Sequence, residues 1–451
     1  MNATAAMPLR TPPSLPGARP LVGVLPQLQA NPLEVMERAT LQYGPVTHLP
    51  LPSMEGYVLG HPSLVNHVLV TNAKNYVKQT RGYDMLRMVL GNGLVTSDGA
   101  FWKRQRRIAQ PAFHRERLAG FGEVMTRAAS EMVDGWELGK PFDFAAEMMR
   151  CTLRVVGETL LSADVTSQAD HVGQALTVAL EHLIHRTLHP LSAPEWVPTP
   201  TNLRFKRALE KLDRVVLGLI SERRQGGGPK NDLLAMLMES RDPETGEGMT
   251  DAQLRDEVMT IFLAGHETTA NNLAWTMVLL GRSPEVERKM MAEAEGVLGG
   301  AAPGMEHVHR LPYAMAVIKE SLRLYPPVWS LGRRVLEDER VEGYLLPKDA
   351  LVFICPWAIH RLPEFWSDPL AFDPDRWKTE DPRRAHGSYL PFSMGQRKCI
   401  GDTFATVEAQ LILTTILQKV HVSLVPGQTF EPEPVITLRP RGGVQVVATR
   451  R

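Results

Sequence analysis

The chain has 451 residues and sets 50 Lys and Arg against 50 Asp and Glu, with 43% hydrophobic and 22% charged residues. This globular composition excludes disorder, collagen and coiled coil as descriptions of the whole, and its length allows two or three domains or one large one. Zero net charge argues against a nucleic-acid partner, because neutralising phosphates takes an excess of cations.

Residues 1–30 form a proline-rich lead, with Pro8, Pro12, Pro13, Pro16, Pro20 and Pro26. Proline fixes φ and lacks the N–H, so the lead is expected to be extended and not helical. Met1–Pro26 holds only one short apolar run, and no later stretch reaches about 18 apolar residues without a charge. The expectation is a soluble protein with neither signal peptide nor transmembrane anchor. Cys151, Cys355 and Cys399 are too few and too scattered for a disulfide framework, which points to a reducing, cytoplasmic setting. A short helix over Pro32–Tyr43 leads into strands at Val46–Leu51 and Gly56–Leu59. From about residue 61 to 325 the apolar spacing is mostly helical. Helices are expected at Ala100–Gln110, Arg117–Asp134, Phe144–Leu161, Leu203–Glu222, Asp251–Leu280 and Pro284–Val297. Thr250 and Gln253 have the spacing of a capping box, and Ser283-Pro284 that of an N-cap followed by proline. The Asp251–Leu280 helix would be about 45 Å long and act as a central pillar. Two loops interrupt the pattern: the proline-rich His189–Thr201 and the glycine-rich Gln225–Asn231. Beyond residue 325 short strands and turns dominate, until a last helix over Ile400–Lys419. Helix excess with a minor sheet means α+β, predominantly α.

The most informative decapeptide is Phe392-Ser393-Met394-Gly395-Gln396-Arg397-Lys398-Cys399-Ile400-Gly401. A cysteine just before a helix is placed where the first N–H groups favour a thiolate. Gly395 permits a tight turn, and Arg397 adds a positive charge. By residue type alone Cys399 can be a nucleophile, a metal ligand or a buried structural thiol. The spacing goes further. Phe-x-x-Gly-x-Arg-x-Cys-x-Gly resembles the haem-binding loop of the cytochrome P450 family. At roughly 5% usage per residue type, these five positions coincide by chance about once in several million windows. The resemblance recurs at four further places in the expected order and covers nearly the whole chain. It implies the P450 fold, with a long central helix and a small β-rich region, as a single haem-binding domain over residues 31–451. It also implies haem b (iron protoporphyrin IX), with Cys399 as its thiolate ligand and Phe392, Gly395 and Arg397 of the same loop against the cofactor.

The other segments gain their meaning from the same resemblance. Ala264-Gly265-His266-Glu267-Thr268-Thr269 puts polar groups in the apolar middle of the long helix, and it looks like the family's oxygen-activation motif. Thr268 would hydrogen-bond dioxygen or a water beside it, and Glu267 would relay protons from solvent. Ala264 and Gly265 would allow close approach to the helix. His266 is read as a packing or surface residue. Glu320 and Arg323, at i and i+3, match the Glu-x-x-Arg helix, completed by Arg376 of Phe372-Asp373-Pro374-Asp375-Arg376-Trp377. Trp102 and Arg106 share a helical face and would bind haem propionates together with Arg397. Arg333 matches a further propionate arginine, with Arg334 competing for that assignment. Lys103, Arg104, Arg107 and Arg115 form a basic stripe, either a solvated face or a docking patch for an acidic electron donor.

The substrate site is expected along Tyr83–Val95, Met259–Ala264, Val328–Leu331 and Val435–Thr437, all mainly apolar, with His189–Thr201 as a mobile lid. The resemblance implies a haem-thiolate monooxygenase that inserts one atom of dioxygen into an apolar small molecule: a fatty acid, a terpenoid or carotenoid, or similar. A separate donor is implied, a ferredoxin or flavodoxin with its NAD(P)H reductase. The rivals are a peroxide-using or rearranging enzyme of the same fold, against which the Glu267-Thr268 pair argues, and a non-catalytic gas-binding haem protein.

Overall fold

The computed structural model describes residues 9–52, 54–113, 119–161, 166–189, 192–226 and 232–451. Four sequence features fall wholly or partly outside this range: Pro8 with the first residues of the lead, the start of the helix expected from Arg117, Pro190 of the lid loop, and most of the glycine-rich loop. Arg115 lies outside it as well. The chain divides into two compact units, one of Met1–Tyr83, Val328–Ala371 and Thr379–Cys399, the other of Asp84–Pro327, Phe372–Lys378 and Ile400–Arg451.

The first unit is built on a five-stranded sheet. Val46–Leu51 and Met54–Leu59 pair antiparallel, with Val46 opposite Leu59. Met54–Leu59 runs parallel to Leu351–Ile354, which pairs antiparallel with Leu331–Val335, and Tyr76–Val77 closes the other edge. The proline-rich lead lies extended along this sheet, as its composition demands. Leu15 N–H donates to the His48 carbonyl, and His48 N–H to the Pro13 carbonyl, both at 2.9 Å. The lead departs from expectation at its end, where Leu25–Ala30 is a short helix. Pro26 sits in its first turn, where a missing N–H costs nothing.

The second unit is helical. The long helix is Asp251–Gly281, and Thr250 and Gln253 form the capping box in both directions. From Leu254 to Leu280 it is buried almost all round, as an apolar helix must be when other helices surround it. Phe144–Val156, Pro200–Arg224, Pro312–Leu324 and Asp402–Lys419 all pack on it. Thr166–Leu188 packs on Pro200–Arg224. Ser283 occupies the N-cap of Pro284–Leu298, but its side chain makes no capping hydrogen bond. A three-stranded sheet (Pro141–Asp143, Gln445–Arg450, Val420–Leu424) and the ribbon Pro432–Pro434 with Leu438–Pro440 complete the unit. The architecture is α+β and predominantly α.

Glu320 is the electrostatic centre of this unit. Its side chain is fully buried. Arg323 donates to it through Nε at 3.0 Å and Nη2 at 2.8 Å. Arg376 Nε at 2.8 Å, Trp377 Nε1 at 2.9 Å and the Asp373 N–H at 3.1 Å arrive from the Phe372–Lys378 segment. A buried carboxylate is tolerable only when its lone pairs are satisfied in this way. Asp375, beside it, pairs outward with Lys289 and Lys378. Glu320→Ala leaves two buried guanidinium groups without their carboxylate and should cost about 3–5 kcal/mol in urea unfolding. Arg376→Lys, which keeps the charge but loses the planar fork, should cost less.

Candidate functional site

The cysteine loop belongs to the first unit. Ser393 and Gly395 take positive φ values of 59° and 68°, and Gly395 opens a tight turn, Gly395–Arg397. Cys399 N–H donates to the Phe392 carbonyl at 2.9 Å and closes the loop. A Cβ on Gly395 would lie 2.0 Å from the Leu69 carbonyl oxygen, so only glycine fits. Cys399 is exposed, whereas Cys151 and Cys355 are buried. Burial pushes both buried thiols up, Cys355 to about 12, and keeps them protonated. The buried-thiol reading therefore fits those two and not Cys399. The last helix starts at Asp402, with Gly401 at its N-cap, later than the expected Ile400. The structured element next to Cys399 is thus the Gly395–Arg397 turn.

Leu69 lies in the π-helical turn His67–Thr71, anchored by a residue outside every sequence motif. Glu339 accepts from His67 and Asn72 at 2.6 Å and from Asn75 at 2.9 Å. Although burial works to raise its pKa, hydrogen bonds led by that from Asn75, with those from Asn72 and His67, hold it at about 2.

The strand Leu331–Val335 separates the two competing arginines by its period of two. Leu331, Arg333 and Val335 face inward. Arg333 is 3% exposed and donates to two neutral partners, Tyr83 Oη at 3.2 Å and the Gly332 carbonyl at 2.7 Å. Arg334 faces outward and pairs with Asp349 at 2.6 Å.

In the second unit the middle of the long helix is most open around Ala264. Ala264 is exposed and Gly265 and Thr268 are partly so, while Leu263, His266, Glu267 and Thr269 are buried. Thr268 Oγ1 donates back to the Ala264 carbonyl at 2.6 Å. A Cβ on Gly265 would meet Val156 at 3.1 Å, so the small residue there serves the crossing with the Phe144–Val156 helix. His266 is a packing residue: its Nδ1 bonds the Phe262 carbonyl, and burial lowers its pKa to about 4. Glu267 does not face solvent. Burial raises its pKa, and its Oε1 accepts from Thr437 Oγ1 at 2.7 Å, itself bonded by Asn271 at 2.9 Å. A relay from solvent through Glu267 requires that it leave Thr437.

Trp102 and Arg106 sit on Gly99–Ala109, Trp102 buried and Arg106 half-buried. Two residues of the basic stripe on this helix, Arg104 and Arg107, are paired within the unit. Arg107 pairs with Asp242 at 3.1 Å and Glu244 at 2.8 Å, and Arg104 with Asp242 at 3.5 Å and Glu247 at 3.3 Å. Lys103 remains exposed. Of the expected substrate wall, Met85, Leu86, Val89 and Leu94 join Met259 and Leu263 in one apolar cluster. Val328 and Leu331 join the cluster of the first unit's sheet. The described part of the proline-rich loop is tied down by Asn202, which donates to Pro194 and Val197, and by Arg186, which donates to Ala193.

Residues 12–446 match the sequence profile of the family described as Cytochrome P450. The chain belongs to the cytochrome P450 family. It is 38% identical to the cyclooctatin synthase of Streptomyces melanosporofaciens over 94% of this chain and 92% of the relative. It is 36% identical to the same organism's cyclooctat-9-en-7-ol 5-monooxygenase, over 92% and 90%. The crystal structure of the cytochrome P450DA heme domain superposes with a TM-score of 0.88 at 30% identity, covering 98% of both chains. The chain is a P450 monooxygenase acting on hydrophobic substrates, and its prosthetic group is a haem. Its residues fit that group. Cys399 offers an accessible thiol, and Ala264 and Gly265 of the long helix are small residues at an accessible place. Among the described residues no helix is long and apolar enough to cross a membrane.

Gly395→Ala should displace the cysteine loop and convert the thiolate-type carbon monoxide spectrum towards a thiol-type one, with a smaller effect on overall unfolding. A separate dependence on pH comes from Glu408 of the last helix, which also lies outside every sequence motif. It is 0% exposed, faces Thr269, and is pushed up to about 8 by burial. Its folded pKa lies above its unfolded one, so its stabilising contribution is complete below the unfolded value of about 4.3. That contribution is lost as pH rises towards 8, at about 1.4 kcal/mol per pH unit. Glu408→Gln should remove one proton from the pH dependence of unfolding between about pH 5 and 8.

Proposed function

We propose that this P450 oxygenates a terpenoid skeleton, as an alkene or an alkenol, with haem b held through Cys399. The observation that carries the reading is the exposed Cys399 thiol on a loop that only Gly395 can close. The substrate class is supported by a relative named for its action on an alkenol, cyclooctat-9-en-7-ol, and by the apolar Tyr83–Val95 segment. Haem supplies dioxygen activation, and a thiolate ligand pushes electron density that favours O–O cleavage.

The chain's own residues do the rest. Trp102, Arg106, Arg397 and Arg333 hold the two propionates. Arg333 is preferred to Arg334 because it is buried against neutral partners while Arg334 already holds Asp349. Phe392 and Gly395 of the cysteine loop, and Ala264 of the long helix, would contact the haem. Thr268 Oγ1 exchanges its bond to the Ala264 carbonyl for one to dioxygen or water. Glu267 releases Thr437 and delivers a proton to that hydroxyl. Residues 31–451 act as one haem-binding domain. Electrons come from a separate ferredoxin or flavodoxin with its NAD(P)H reductase. Three cysteines too scattered for a disulfide framework support a reducing, cytoplasmic setting.

The deciding measurement is the spectrum of the dithionite-reduced protein under carbon monoxide. A strongly red-shifted Soret band that Cys399→Ser abolishes is expected; a band typical of histidine-ligated haem overturns the reading. With donor proteins present, cyclooctat-9-en-7-ol should give more product than lauric acid, and the reverse order overturns the substrate class. Thr268→Ala should keep the spectrum but lower product formed per NAD(P)H by about tenfold or more.

A further inference from the structure

The first half of the long helix carries three consecutive charged residues that all reach one short segment. Arg255 Nη1 donates to the Val89 carbonyl at 3.0 Å. Asp256 Oδ2 accepts from the Asn92 N–H at 2.7 Å, and Glu257 Oε2 from the Leu94 N–H at 3.0 Å. Two glycines permit the approach. A Cβ on Gly91 would lie 2.0 Å from Asp256 Oδ1, and one on Gly93 would lie 2.1 Å from Thr260 Oγ1. The other end of Arg255 grips Asp213 of the Pro200–Arg224 helix at 2.8 Å. Glu257 is 1% exposed and Thr260 3%. Glu257 Oε1 and Thr260 Oγ1 have no hydrogen-bond partner among the described residues.

We propose that Asp256 and Glu257 are positioning residues that hold Gly91–Leu94 as a fixed wall of the substrate site and so select which hydrocarbon skeletons enter. The inference rests on the reading that Tyr83–Val95 lines that site. The buried Leu94 N–H, in an irregular segment, needs an acceptor from elsewhere, and the exposed Asn92 N–H takes one as well. Here those acceptors stand on a rigid helix, so the segment takes its register from that helix. Glu257, Thr260, Ala264 and Thr268 follow one helical face, at i, i+3, i+7 and i+11. The wall is therefore fixed to the element that carries Ala264 and Thr268. Burial pushes Glu257 up to about 8, opposed by the Leu94 N–H and aided by Asp256. At neutral pH it is thus an uncharged acceptor, which glutamine can imitate.

Amide hydrogen exchange reads the wall directly on the purified full chain. Glu257→Leu, which removes the acceptor, should raise exchange across residues 91–95 by about tenfold or more and leave the rest unchanged. Glu257→Gln should stay within about twofold of the parent. Titration with 4-phenylimidazole, followed by the Soret shift, should show about fivefold weaker binding for Glu257→Leu only. Unchanged exchange in Glu257→Leu overturns the positioning role. Raised exchange with unchanged 4-phenylimidazole affinity overturns the assignment of the segment as a wall. If Glu257→Leu does not fold, Gly93→Ala must raise the same local exchange, and its failure to do so overturns the proposal. Failure of the haem-thiolate reading would show separately, in the carbon monoxide spectrum of the reduced parent protein.

Discussion

The burial of Glu320 is the constraint on which the helical unit depends. A carboxylate taken wholly out of water is costly, and here the compensation comes from the Arg323 fork, the Arg376 and Trp377 side chains and one backbone N–H. The donors arrive from two stretches about fifty residues apart. The network therefore does what a cross-link does. It ties the Phe372–Lys378 segment to the Pro312–Leu324 helix, which packs on the long helix. Such an arrangement contributes more to the uniqueness of the packing than to its net stability, since an apolar replacement of equal shape can be as stable.

The same logic recurs on a smaller scale. Glu339 satisfies three side chains around the turn that abuts Gly395. Asp242 gathers Arg104 and Arg107. Asp256 and Glu257 serve a loop that has no ladder of its own. In each case acids gather donors from separate stretches of the chain.

Much of this is legible in the amino-acid order. Thr250 and Gln253 mark the start of the long helix to the residue, and the alternation of Leu331, Arg333 and Val335 is enough to turn Arg333 inward. The Thr166–Leu188 helix is absent from the expected elements, although Leu176, Leu180 and Leu183 repeat at helical spacing and are buried. What stays illegible depends on partners far along the chain. Arg107 meets Asp242 across 135 positions, and Glu267 meets Thr437 across 170. No local pattern encodes such pairings. Two arginines of a basic stripe and an acid that reads as open to solvent are, in the fold, already engaged.

The three thiols divide the chain chemically. Cys151 and Cys355 are shielded, and only Cys399 meets solvent. Of the three thiols, the one the chain leaves accessible is also the one proposed to hold the haem. Oxidation of that sulfur would block metal ligation outright.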